Sequence, residues 1–175
     1  NVELYYGSNG HDAGLREGEF YNCHIEGVGR WRSTPLYTEE GMETPCKSYG
    51  TDWVNVGVDG LRVRSANFEM IGGSVHNLHD YRLTTWISLD AFAKNAKVQG
   101  VTVNVHGTTG SIGGAGSVFD GNIIRNGTLQ VTAANVTITG NNGTTNDWVR
   151  NVTQRYIDVQ NANCLAAGNT LNGES

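Results

Sequence analysis

Proline is nearly missing from this chain, with 2 among 175 residues against 24 glycines. Most turns must therefore be made by Gly and Asn rather than by rigid Pro bends. Basic residues are scarce too, 12 Lys and Arg against 17 Asp and Glu, for a formal charge of −5. That balance excludes the basic stripe a nucleic-acid partner needs. No apolar run approaches the roughly 20 residues that span a bilayer, so no membrane insertion is expected. Three cysteines are too few, and odd in number, for a disulfide framework. No long stretch keeps helical spacing. What remains is a Gly-rich β protein, 38% hydrophobic, long enough to bury one sizeable core.

What the chain does contain is a recurring phrase. Residues 61–72 read LRVRSANFEMIG, 129–140 LQVTAANVTITG, 157–168 IDVQNANCLAAG and 89–100 LDAFAKNAKVQG. The frame is an aliphatic residue, an Asn six positions on, and a Gly five after that. A looser copy, NCHIEG, places Asn22 and Gly27 at the same spacing, and GSVFDG keeps Gly121 but replaces the Asn. The closing glycines are 27, 72, 100, 121, 140 and 168, and the first gap is wide enough for two turns. Variable steps around a constant phrase point to a solenoid whose loops absorb the length differences. Chance coincidence in a chain rich in Gly and Asn is the competing reading.

Inside the phrase, residues alternate. Counting back from Gly, the fourth position holds Cys23, Phe68, Ala96, Ser117, Val136 and Cys164, and the second holds Ile25, Met70, Val98, Phe119, Ile138 and Ala166. The positions between them are mostly polar, among them His24, Glu69, Lys97, Gln99 and Asp120. Period two puts one set inside and the other outside a strand. The repeated Asn suits a bend, where it tolerates left-handed geometry and can stack on the Asn of the next coil, and the Gly suits a turn with positive φ. The expected fold class is all-β, a single-stranded right-handed parallel β-helix of about six or seven coils with loop insertions.

One domain is expected over residues 1–175. It opens at Asn1 without a charged and apolar leader, and its last residues, AGNTLNGES, carry no cap for an open β edge, which is expected of a piece of a longer chain or of an oligomer. Residues 28–51, with Trp31, both prolines and three Glu, read as an irregular insertion or small subdomain, and 73–88 as a loop insertion. Cys23 and Cys164 share one interior position several coils apart, too far for a disulfide, and read as buried thiols; Cys46 falls in the irregular stretch and reads as free. Sequons at Asn126, Asn135, Asn142 and Asn151 arise easily in an Asn- and Thr-rich repeat and carry little weight.

Stacked coils, Asn-rich bends and aromatic and acidic insertions together resemble the parallel β-helix of bacteriophage tailspike proteins, and more loosely the β-helices of pectate-lyase and epimerase type. The resemblance is architectural, over roughly residues 16–173, and no catalytic motif matches residue by residue. It implies a homotrimer on the virion tail, outside the cell, that recognises and often cleaves host-surface polysaccharide. No cofactor is implied.

Glycoside hydrolysis needs two carboxylates, about 5 to 5.5 Å apart for retention and about 6.5 to 9.5 Å for inversion. Glu69 and Asp120 point outward two coils apart, roughly 9 to 10 Å by strand spacing, and Lys97 lies between them, so a solvated charge ladder is the alternative. Asp90 is a secondary candidate. For sugar binding, Trp86, Tyr81 and Trp148 fall in or beside insertions and read as platforms, with Arg82 as a polar partner; packing at a cap or a trimer interface is the alternative for the aromatics. A lyase would use Tyr81 or His79 as base and Arg82 as clamp for an acidic sugar. Residues 76–80, HNLHD, fix no third ligand, so no metal is expected. Three functions stand: glycan recognition with hydrolysis, a non-catalytic structural segment of a virion fibre, and a polysaccharide lyase.

Overall fold

The fold was obtained as a computed structural model that describes residues 18–26, 36–37, 46–54, 61–76, 85–144 and 156–171. Among these residues there is no helix, and the strands pair in parallel. One sheet has seven strands in the order β1 (Gly18–Tyr21), β4 (Cys46–Tyr49), β7 (Glu69–Ile71), β10 (Lys97–Gln99), β12 (Val118–Asp120), β14 (Thr137–Thr139) and β17 (Leu165–Ala167). The other runs β2 (His24–Glu26), β5 (Asp52–Val54), β8 (Ser74–His76), β11 (Thr102–Ile112), β13 (Ile123–Val131), β15 (Asn142–Thr144) and β18 (Thr170–Leu171). That second sheet is curled. Through the far halves of β11 and β13 it continues into β3 (Leu36–Tyr37), β6 (Leu61–Val63), β9 (Thr85–Leu89) and β16 (Ile157–Val159).

Pairing register converts the sequence phrase into columns. Met70, Val98, Phe119, Ile138 and Ala166 lie side by side on the first sheet, and the first four have no exposed surface. Removing such side chains from water contributes roughly 1.5 to 3 kcal/mol each, and neighbouring strands share that contact. Gly50, Gly72, Gly100, Gly121, Gly140 and Gly168 all have φ between 57° and 64°, which Gly adopts without a Cβ penalty. Asn67, Asn95, Asn135 and Asn163 bend the chain with φ of 56° to 62°, as their short amides allow.

Two expectations are corrected here. NCHIEG is out of register with the other copies: Asn22 precedes the second sheet with φ 50°, and Ile25 pairs with Trp53, whose other partner is Val75, rather than with the Met70 column. The end of the 28–51 stretch is strand, since β4 pairs with β1 and β7, and its Gly50 supplies the extra turn in the wide first gap. Cys46 therefore takes the interior position assigned above to Cys23. It is 1% exposed, whereas Cys23 and Cys164 are only half-buried. All three are free thiols.

The amide ladder is also displaced, by six residues, from the Asn before each strand to the far side of the closing Gly. The side chains that stack are those directly after the closing Gly, Asn122, Asn141 and Asn169. Asn122 Nδ2 donates to Asn141 Oδ1 (2.8 Å), and Asn141 Nδ2 to Asn169 Oδ1 (2.8 Å). The same oxygens accept the backbone N–H of Asn122 and Asn141, so buried turns keep their polar groups satisfied.

Candidate functional site

The first sheet turns a mostly polar face outward. Along one column run Glu19, Lys47, Glu69 and Lys97, in that order on adjacent strands. Lys47 pairs with Glu19 at 3.1 Å and Lys97 with Glu69 at 3.4 Å. The next outward column holds Tyr21, Tyr49, Ile71, Gln99, Asp120 and Thr139. Tyr49 donates its hydroxyl hydrogen to Glu69, and Thr139 donates to Asp120 at 2.6 Å.

Glu69 and Asp120 thus share a face but not a column. They are two strands apart and offset by two residues, so their backbones are about 12 Å apart by strand spacing and rise, wider than the sequence suggested. The hydrogen bond from Tyr49 holds the Glu69 carboxyl below its ordinary value, with Lys97 adding to the effect and partial burial opposing it. A general acid needs the opposite shift. Asp90 does not join them. It follows β9 in the curled sheet, where Arg64 Nε (3.2 Å) and Arg62 (3.5 Å) flank its carboxylate and Ser88 donates at 3.2 Å.

Trp86 is no platform. It is fully buried, its indole N–H donates to the Thr128 carbonyl at 3.3 Å, and a Cβ on Gly110 would sit 2.8 Å from its ring. A register irregularity between β11 and β9 lets Trp86 and Ile87 both face the core, so a place beside an insertion did not put Trp86 on the surface. Tyr81, Arg82, Trp148, His79 and Asp80 lie outside the described residues. Among the described residues, no three of His, Cys, Asp and Glu gather closely enough to hold a metal ion. No described helix is long and apolar enough to cross a membrane.

Topology nevertheless fixes where the insertions leave. Glu26, Val54, His76, Asn104, Arg125 and Thr144 form one row across the second sheet. The connections 27–35, 55–60, 77–84 and 145–155 begin at four of those positions, after Glu26, Val54, His76 and Thr144. Between those positions, strands β11 and β13 run past the row without interruption. Tyr81, Arg82 and Trp148 all belong to connections rooted on this row. Sequence reading missed the row, and it also missed Tyr21 and Tyr49, whose rings stack at 5.2 Å and 15°. Their signal was a Tyr one residue before the bend at Asn22 and at Gly50, at the ends of two neighbouring strands. No protein-family model matches the chain, nor does any curated protein or solved structure.

Proposed function

We propose that this chain is a single-stranded right-handed parallel β-helix that recognises host-surface polysaccharide, as a segment of a homotrimeric tailspike-like virion protein. One observation carries the recognition: the long connections bearing Tyr81, Arg82 and Trp148 are rooted on a single row of the curled sheet. Loops that leave a rigid stack at one corner reach a common ligand, and aromatic rings beside an Arg suit sugar C–H faces and hydroxyls. The virion setting and the trimer rest on the architectural resemblance alone.

Binding without cleavage by Glu69 is the preferred form of this reading, because an ion-paired carboxylate with a lowered pKa is a poor proton donor. A glycan array read in parallel with a reducing-end assay tests it. Wild-type protein should retain a glycan that Tyr81→Ala, Arg82→Ala and Trp148→Ala fail to retain. Glu69→Gln and Asp120→Asn should leave retention unchanged. Release of reducing ends that disappears in Glu69→Gln would restore the hydrolase, and unsaturated products lost in Tyr81→Ala would establish the lyase.

A further inference from the structure

From the geometry of the first sheet we infer a second sugar-binding surface, built on Tyr21 and specific for uncharged pyranosides. It needs none of the insertions and stands apart from the corner proposed above. Tyr21 lies on β1, the first strand of its sheet, and its ring packs at 5.2 Å and 15° on Tyr49 behind it. No described strand lies on the other side, and Tyr21 is 55% exposed. An exposed aromatic ring backed by a second ring is a rigid apolar platform with little side-chain entropy left to lose on binding.

Polar groups at the ring edge complete the surface. The Tyr21 hydroxyl donates to Glu19 Oε2 at 2.8 Å, and Lys47 Nζ lies 3.1 Å from Glu19 Oε1. The phenol oxygen is thereby tied to Glu19 while the ring stays stacked on Tyr49. Glu19 keeps lone pairs free to accept from hydroxyl groups, and Lys47 has ammonium hydrogens left to donate. Sugar hydroxyls do both, and a pyranose laid on the ring brings its hydroxyls to that edge. The two carboxylates of Glu19 and Glu69 offset the two ammonium groups of Lys47 and Lys97, and Asp120 further along the face adds a negative charge, so nothing there attracts an anionic chain. A neutral polysaccharide is what this chemistry selects.

Affinity electrophoresis of the full chain in native gels containing dextran, galactomannan or hydroxyethyl cellulose, with alginate as the anionic control, tests the inference. Retardation is expected in at least one neutral gel and not in alginate, and added salt should not reduce it. Tyr21→Phe, which keeps the ring, should stay within a few-fold of wild type. Tyr21→Leu, which keeps apolar cover over the coil but no flat ring, should weaken retention roughly tenfold at an unchanged melting temperature. Trp148→Ala should leave this retention intact, which separates the surface from the insertion corner. Free migration in every neutral gel, retention abolished by salt, or a Tyr21→Leu variant retained like wild type would each overturn it.

Discussion

Cys46 and Glu69 show how a residue's place in a column sets its chemistry. Burial pushes the Cys46 thiol up to about 11, so near neutral pH it is protonated as well as inaccessible. Titration with a thiol reagent should label Cys23 and Cys164 in the native protein and reach Cys46 only on unfolding. Three equivalent thiols would contradict that placement. Glu69 titrates in the opposite sense. Its pKa in the folded chain is below the unfolded value, so its contribution to stability is complete above about pH 5 and is lost as pH falls through the folded value. Thermal unfolding followed from neutral to acid pH should therefore show a decline that is shallower in Glu69→Gln. Both properties depend on register. Cys46 was legible as a free thiol but not as a buried one, because Pro45 and the surrounding Glu residues hide the short strand that begins there.

Within the elements, glycine and the alternation before it made β7, β10, β12, β14 and β17 readable, since a strand with one buried face must repeat every second residue. What failed to show lay where that rule lapses. The side chains of Trp86 and Ile87 both turn inward at an irregular pairing, and the continuous strands β11 and β13 cross a row at which neighbouring strands end in long connections. NCHIEG matched the phrase by spacing while its strand belonged to the other sheet. The amide ladder was hidden in plain repetition, as Gly-Asn at 121–122, 140–141 and 168–169. Its central rung bears the most. Asn141 is fully buried, donates to the Phe119 carbonyl at 3.1 Å and to Asn169, and accepts two hydrogens from Asn122. Asn141→Ala leaves those buried groups unsatisfied and should cost about 3 kcal/mol, whereas Asn169→Ala, at the end of the ladder, should cost about 1 kcal/mol. Urea midpoints at constant m-value measure both.

Across the described molecule, equivalent residues in the copies ending at Gly72, Gly100, Gly121, Gly140 and Gly168 form columns across parallel strands, and the face they build, the row the insertions leave and the Tyr21 platform follow from that pairing. The candidate sugar contacts were only partly legible: Tyr81, Arg82 and Trp148 could be named from their insertions, but their common root on one row is a product of pairing that no local pattern encodes. The columns themselves can be measured by pulsed electron paramagnetic resonance between spin labels at Lys47→Cys and Leu165→Cys, in a background of Cys23→Ser and Cys164→Ser. These positions occupy one outward column on β4 and β17, five strand steps apart. A single narrow distance near about 24 Å is the result predicted by parallel strand spacing; a broad distribution, or a mean displaced by more than about 10 Å, two such spacings, would contradict the stack.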